Sequence, residues 1–202
     1  MTQSIENKIL KRIRAKRRGW VFTPKHFSDL GSSEAVKISL IRLEKDKLID
    51  RVGRGLFYYP KKHPKLGILA PSIDQIAQAI KERDSIRMQP SGAYAANLLG
   101  LSLQVPLRAV FLTDGSPKEL RVGNQIIELK KTDDPDKMAT EGRISGIVTQ
   151  ALQYIGKDNI NQDVVATLKK RLSDDEKQTL LADIQYAPEW IRKIIRDITQ
   201  DV

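Results

Sequence analysis

The sequence predicts an α+β fold in two domains, and three observations indicate it. Apolar residues recur at helical spacing in several segments, and short runs rich in Val, Ile, Phe and Tyr between glycines indicate strands. Residues 1–66 hold 17 Lys and Arg against 6 Asp and Glu, whereas the remainder is nearly neutral. The run PKKHPKLG, residues 60–67, is typical of a linker. We therefore expect a basic domain over residues 1–66 and a second domain over residues 67–202.

The chain begins with a predicted helix over residues 4–18. Ser4 suits the N-cap, and the apolar residues of the segment form one stripe on a helical wheel. The members of that stripe are Ile5, Ile9, Leu10 and Ile13. A short strand is expected at residues 20–22, and Thr23 followed by Pro24 begins a short helix that ends near residue 30.

A third helix follows, with Ser32 or Ser33 as its N-cap. Val36, Leu40 and Leu43 lie on one face of this helix, which predicts that they are buried. The opposite face combines charged residues with two isoleucines, and its members are Glu34, Lys37, Ile38, Ile41, Arg42 and Lys45. Such a face suits a helix that lies in a DNA groove, where apolar atoms can contact thymine methyl groups.

The segments LIDRV and LFYY are predicted to form a hairpin around Gly53-Arg54-Gly55, since glycine permits the positive φ of a tight turn. The order of elements is then helix, strand, helix, helix and hairpin. That order is typical of a winged helix-turn-helix, in which one helix enters the major groove and the hairpin reaches the neighbouring backbone or minor groove. The concentration of positive charge in residues 1–66 favours the same partner, double-stranded DNA.

The expected DNA contacts fall into three groups. The residues expected at phosphates are Arg17, Arg18, Lys25, Ser32 and Ser33. The residues expected at base edges are Lys37, Ile41 and Arg42, with Lys45 nearer to the backbone. Arg54 at the hairpin tip is expected to enter a minor groove.

The second domain is predicted to be mixed. A sheet part over about residues 67–131 begins with a helix at residues 72–84 and contains a short alanine-rich helix after Ser91. Three strands separated by Thr-Asp-Gly and Gly-Asn turns then predict a small antiparallel sheet. A helical part over about residues 142–202 follows an acidic loop at residues 132–141.

Composition excludes several classes of function. The chain has no cysteine, so it has no disulfide, thiolate nucleophile or thiolate metal site, and it has only two histidines. No apolar run approaches the ~18–20 residues of a membrane span, and the N-terminus lacks the features of a signal peptide. We expect a cytoplasmic protein without metal or cofactor.

One catalytic pattern competes with this interpretation. Asp114, Glu128 and Lys130 have the D…E-x-K arrangement of magnesium-dependent nucleases, in which two carboxylates hold the metal. Asp114-Gly115 is also an ordinary turn pair, and Glu128 and Lys130 suit the solvated face of a strand. We therefore predict no catalytic residue and keep the nuclease as an alternative.

Residues 1–131 resemble the AbiEi-type antitoxins of abortive-infection toxin–antitoxin systems. The resemblance rests on PSGAYAANLLGLS and the LTDG turn, behind the segment WVFTPKHFSDLGSSEAVKISLIRLEKDKLIDRVGRGLFYYP. It implies a type IV antitoxin whose winged helix binds inverted repeats near its own promoter and represses the operon. The C-terminal domain would counter a nucleotidyltransferase-like toxin, and no stable complex with that toxin is required.

The resemblance also implies the stoichiometry: a monomer or weak dimer, with two copies on each palindromic operator. A stand-alone winged-helix regulator remains an alternative. In that case the C-terminal domain would sense a ligand or dimerise, and the small residues of GAYAANLLG would provide a packing surface.

Overall fold

A computed structural model describes residues 4–200 and confirms the α+β class. The chain divides into two compact units. Unit 1 contains the residues up to Ser85 together with Arg121–Gly123, and unit 2 contains Ile86–Leu120 and the residues from Asn124 onward.

Unit 1 combines three helices with five short strands. In chain order its elements are α1 (Ile5–Ala15), β1 (Val21–Phe22), a 3-10 helix (Pro24–Phe27), α2 (Ser33–Lys45), β2 (Asp50–Gly53), β3 (Leu56–Tyr58), β4 (Lys61–His63), β5 (Gly67–Leu69) and α3 (Ile73–Asp84). The strands form two separate sheets, a three-stranded sheet in the order β1-β3-β2 and a hairpin of β4 with β5.

The core of unit 1 contains the residues that the helical periodicity predicts. Ile9 and Ile13 of α1 are fully buried, as are Phe22 of β1 and Phe27 of the 3-10 helix. Helix α1 begins where Ser4 Oγ accepts a hydrogen bond from the Asn7 amide over 3.2 Å. The helix ends at Ala15, three residues before the predicted end at residue 18, so the following cations lie outside it.

Strand β3 is central in the three-stranded sheet, which explains its apolar sequence. Leu56, Phe57 and Tyr58 are all buried. Both neighbours of β3 pair with it in antiparallel orientation, with Phe22 opposite Phe57 on one side and Arg51 opposite Phe57 on the other. The aromatic run that ends the predicted hairpin therefore anchors the sheet to the helices.

Two features of unit 1 differ from the sequence prediction. The predicted linker at residues 60–67 forms most of the hairpin β4–β5, because its prolines lie outside the paired positions. Helix α3 was assigned to the second domain, but its contacts place it in unit 1. Its apolar face is buried as predicted, with Ile76 and Ile80 at 0% and 3% exposure.

Unit 2 contains the remaining elements, apart from the last two residues of the strand Lys118–Val122, which group with unit 1. These elements are β6 (Met88–Ser91), α4 (Gly92–Leu98), β7 (Arg108–Thr113), β8 (Lys118–Val122), β9 (Gln125–Lys131), α5 (Pro135–Ala139), α6 (Ile144–Ile155), α7 (Gln162–Arg171), α8 (Asp174–Ala182) and α9 (Glu189–Ile198). Short 3-10 helices at Lys157–Asn159 and Ile184–Tyr186 connect the C-terminal helices.

The sheet of unit 2 is mixed, which corrects the prediction of a small antiparallel sheet. Its strand order is β6-β7-β9-β8. Strand β6 pairs antiparallel with β7, but β7 pairs parallel with β9 from Arg108 opposite Ile126 to Thr113 opposite Lys131. Strand β8 is placed at the outer edge because β9, with buried Ile127 and Leu129, is the more apolar of the two. The other edge strand, β6, contains Pro90, so its sequence did not predict a strand.

The helical part of unit 2 packs around a core to which α4 and the helices α6 to α9 contribute. Fully buried members include Ala95, Val148, Leu168 and Ile191. Side-chain caps begin two of these helices: Asn161 accepts from the Val164 amide at the start of α7, and Ser173 with Glu176 forms a capping box at α8. No helix within residues 4–200 combines the length and the apolar character that crossing a membrane requires.

Candidate nucleic-acid interface

Helix α2 presents one face to the core and an unusual face to solvent. Ser32 Oγ accepts from the Ala35 amide over 3.2 Å, so Ser32 is the N-cap and Ser33 is the first helical residue. Val36, Leu40 and Leu43 are at most 1% exposed. On the opposite side Ile38 and Ile41 are 42% and 54% exposed, in agreement with the predicted face.

Cations surround these two isoleucines. Lys37, Arg42 and Lys45 are exposed, as predicted for residues that contact DNA. The only acidic neighbour that the described residues give Arg42 is Glu6, at 4.0 Å, and the Arg42 side chain is 69% exposed. The face thus combines exposed positive charge with exposed apolar surface.

An exposed ion pair connects α1 to the segment that leads into α2. Arg12 of α1 binds the Asp29 carboxylate through two hydrogen bonds of 2.7 Å, and its Nη1 also donates to the His26 carbonyl over 2.8 Å. The hydrogen bonds from Arg12 lower the pKa of Asp29 to about 2. Arg12 therefore joins α1 to the turn before α2 and sets the orientation of the exposed helix.

The hairpin β2–β3 carries Arg54 at its tip, as predicted. Gly55 has a φ of +69°, the left-handed conformation that the turn requires, whereas Gly53 remains in the strand. The side chain of Arg54 is exposed. Its backbone is held from α3, because Arg83 Nη1 donates to the Arg54 carbonyl over 2.7 Å.

The other predicted phosphate contacts are all exposed, and two of them, Ser32 and Arg18, already make hydrogen bonds within the protein. Arg17 and Lys25 are exposed, and Ser32 and Ser33 are exposed at the start of α2. Arg18 is also exposed, but its Nη1 donates to the Pro60 carbonyl over 2.9 Å and its guanidinium lies 4.7 Å from the Tyr59 ring. Arg18 consequently supports the base of the hairpin β4–β5.

The two carboxylates of the nuclease pattern are bound by different arginines, and Glu128 Oε1 lies 3.8 Å from Lys130 Nζ. Asp114 lies four residues beyond Val110, the partner of Glu128, so at the rise of a parallel strand the backbone positions of the two acidic residues differ by about 13 Å along the sheet. Arg87 binds Asp114 through Nε at 2.8 Å and lowers the pKa of that carboxyl. Glu128 instead accepts from Arg108 over 3.0 Å. Within residues 4–200 no three His, Asp or Glu side chains are grouped to hold a metal ion.

The LTDG turn has a structural role in unit 2. Thr113 Oγ1 donates to the Arg87 carbonyl over 2.7 Å, and the Asp114 carboxylate accepts from the Arg87 amide over 2.9 Å. A Cβ at Gly115 would lie 2.6 Å from Ile86 Cγ2. These three residues therefore hold the start of β6 against the end of β7.

The PSGAYAANLLG segment also makes defined contacts. Ser91 Oγ donates to Gln150 of α6 over 2.9 Å, and fully buried Ala95 packs against the same core as α6. Asn97 Nδ2 donates to the Ser102 and Gln104 carbonyls and so fixes the following loop. Ala95 and Ala96 of this segment are thus part of the core of unit 2.

A polar cavity of about 220 Å³ lies in unit 2 between α6 and the chain that precedes α9. Its lining includes Thr149, Gln150, Gln153, Tyr186 and Arg192. Arg192 is engaged by the protein itself, because its guanidinium donates to the Ala187 and Gln185 carbonyls. The Arg192 cation of this cavity is therefore already bound by backbone carbonyls of the protein.

Fold and surface together define an α+β protein whose basic N-terminal unit exposes a cationic helix face. The chain matches the model of the Family of unknown function (DUF6088) over residues 8–180, and it belongs to that family. The RV2827C protein from Mycobacterium tuberculosis has a similar structure, with a TM-score of 0.46 and 12% identity over 99% of this chain and 78% of that chain. A search of curated proteins finds no match.

Proposed function

We propose that unit 1 is a winged helix-turn-helix that binds double-stranded DNA. The observation that carries this proposal is the solvent face of α2, where exposed Ile38 and Ile41 stand among exposed cations. The element order of α1, β1, the 3-10 helix, α2 and the hairpin β2–β3 supports it, as does the antiparallel sheet β1-β3-β2.

In the proposed complex, α2 enters the major groove. Ser32 and Ser33 with the free amides of the first turn hold a phosphate, and Lys37, Ile41 and Arg42 face the base edges. Lys45 and the cations Arg17, Arg18 and Lys25 contact the backbone. Arg54 enters the neighbouring minor groove, where arginine favours narrow A·T-rich sequence.

We further propose that the protein is a cytoplasmic antitoxin that represses its own operon and counters a nucleotidyltransferase-like toxin. This step rests on the resemblance to the AbiEi-type antitoxins. Two copies, each a monomer or part of a weak dimer, occupy an inverted repeat. A stand-alone regulator would share the DNA-binding unit and differ only in the role of unit 2.

The DNA-binding proposal is tested by anisotropy titration of the full chain against a duplex that the protein selects from a random pool. Neutralising about six phosphates predicts a log–log salt slope of about −5. Replacing Arg17, Lys25 and Lys45, which are assigned to phosphates, with alanine should lower the magnitude of that slope by about 2.7. The matched control replaces Lys157, Lys170 and Lys193, three exposed lysines of unit 2, and should leave the slope unchanged. A wild-type protein without salt-sensitive affinity for any duplex contradicts the proposal.

The antitoxin role is tested separately. The gene downstream of this one is expected to encode a nucleotidyltransferase-like protein that arrests growth when it is expressed alone. Coexpression of this chain should restore growth, and a variant that lacks the α2 cations should still do so while derepressing the operon. Growth arrest that coexpression does not relieve contradicts the antitoxin role and leaves the stand-alone regulator.

A further inference from the structure

We propose that the hairpin β4–β5 is a second DNA-contacting element, an arm that lies in the minor groove of the duplex bound by α2. This inference rests on the proposed function of unit 1. The arm comprises residues 61–69, which the sequence alone indicated as a linker. Every residue from Lys61 to Ile68 is exposed, so the arm projects from unit 1 into solvent.

The charge of the arm identifies the class of its partner. Lys61, Lys62 and Lys65 are exposed cations, and the chain has no acidic residue between Asp50 and Asp74. Within residues 4–200 none of the three lysines makes an ion pair with a protein carboxylate. A cationic ribbon without internal compensation attracts a polyanion, and unit 1 already presents a DNA-binding face on α2.

The apolar residues of the arm favour the minor groove over the phosphate backbone alone. Leu66 near the tip is 71% exposed and Ile68 is 53% exposed. Ile68 is the cross-strand partner of Lys62, so one face of the arm combines an apolar side chain with a cation. The walls of the minor groove combine sugar carbons with phosphates, and proteins that enter this groove commonly insert leucine, isoleucine or proline.

The tip and the base of the arm are both organised. At the tip, His63 Nδ1 accepts hydrogen bonds from the amides of Lys65 and Leu66, each over 3.2 Å. At the base, the Tyr59 carbonyl accepts from the Gly19 amide over 2.7 Å and the Pro60 carbonyl accepts from Arg18 over 2.9 Å. An isolated two-stranded hairpin is marginally stable in water, and these contacts fix its shape without covering its surface.

The experiment compares two arm variants with a control on the duplex selected by the wild-type protein. Replacing Lys62 and Lys65 with alanine should reduce the magnitude of the log–log salt slope by about 1.8. Replacing Leu66 and Ile68 with serine should weaken binding several-fold and leave the slope unchanged. The control replaces exposed Lys157 and Lys193 of unit 2 with alanine and should match wild type.

A second measurement reports the groove directly. Dimethyl sulfate methylates adenine N3 in the minor groove, and the wild-type protein should protect adenines beside the α2 site from this reaction. Arg54 is also proposed to enter a minor groove, so the protection assigned to the arm is the part that Arg54→Ala retains. Both arm variants should lose that part while far-ultraviolet circular dichroism stays unchanged.

Three outcomes separate the hypotheses. Arm variants that equal the control in slope, affinity and N3 protection overturn the arm, while intact wild-type binding still supports α2 as the reader. A reduced slope with unchanged N3 protection overturns the placement in the minor groove. Absence of duplex binding by the wild-type protein removes the proposed function and the arm together.

Discussion

The Nη1 atom of Arg83 donates a hydrogen bond to the carbonyl oxygen of Arg54 across 2.7 Å, so the end of α3 holds the tip of the hairpin β2–β3. The same guanidinium is bound by Asp84 through hydrogen bonds of 2.8 and 2.9 Å, which fixes its direction. The tip is therefore oriented by a helix that follows it in the chain, and the side chain of Arg54 remains available for a ligand.

Replacing Arg83 with methionine removes the hydrogen bond to the Arg54 carbonyl and keeps an unbranched apolar side chain in place of the Arg83 stem. The hairpin tip should therefore become less rigid. A hydrogen bond from a charged donor is worth about 1.5 kcal/mol, so amide exchange at Gly55 and Leu56 should become roughly tenfold faster when it is lost. The free energy of binding to the selected duplex should also weaken, but by less than the loss expected for Arg54→Ala, which is about 1–3 kcal/mol. Arg196→Met, at an exposed position of α9, is the control and should change neither quantity. Equal exchange rates in all three proteins would contradict a role for Arg83.

Ile41 should contact thymine methyl groups and so favour thymine at the contacted position of the duplex. Replacing thymine with deoxyuridine removes one methyl, and each methyl buried against Ile41 is worth about 0.8 kcal/mol. Deoxyuridine at the contacted position should therefore weaken wild-type binding by that amount and should not weaken Ile41→Ala further. Leu181→Ala, on α8, is the control and should retain the full thymine preference. A preference that persists in Ile41→Ala would assign the methyl contact to another residue.

The pair of Arg12 with Asp29 should make the stability of unit 1 sensitive to acid. The pKa of Asp29 is lowered from 3.8 to about 2, so the folded state favours the ionised carboxylate. That contribution is present above about pH 4 and is lost as the pH falls towards 2. Asp29→Asn should lower the urea midpoint at pH 7, and its difference from wild type should shrink between pH 4 and pH 2. A difference that stays constant over this range would exclude Asp29 as the titrating group, and Asp197→Asn on α9 provides the comparison.

Gly146→Ala should destabilise unit 2 because α6 approaches β6 closely at this glycine. A Cβ there would lie 2.7 Å from the Gln89 Oε1 and 2.7 Å from the Thr140 carbonyl oxygen. Gln89 and Thr140 are both buried, so neither atom can move aside without disturbing the core. We therefore expect Gly146→Ala to lower the free energy of unfolding by about 1–3 kcal/mol. Gln178→Ala, exposed on α8, should stay within about 0.5 kcal/mol of wild type. Chemical denaturation monitored by tryptophan fluorescence measures both.

The sequence predicted unit 1 more fully than unit 2, and the reason is locality. Ser4, Ser32 and Gly55 act through neighbours within a few residues, so caps and turns can be read from short segments. The tie from Arg83 to the tip joins residues 29 positions apart and has no local signature. The hairpin β4–β5 was missed because lysine and proline are typical of linkers, and its strands are only three residues long.

In unit 2 the helices were predicted and the strand order was not. Helices α7 and α8 follow from capping residues and apolar periodicity within their own segments. Strand β7 pairs in parallel with β9 and not with β8, because β9 is the more apolar of these two adjacent strands on both faces. The same register sets how far apart the backbone positions of Asp114 and Glu128 lie, which no local pattern predicts.

The sheet of unit 2 has two edges, and both are poor templates for an incoming chain. Pro90 in β6 has no amide hydrogen, so an added strand would find a gap in the row of donors. Strand β8, at the other edge, carries exposed Lys118 and Glu119, whose hydration a new neighbour would disturb. Aggregation by edge-to-edge growth is therefore opposed at both ends, and the sheet can remain open in a crowded cell without templating fibrils.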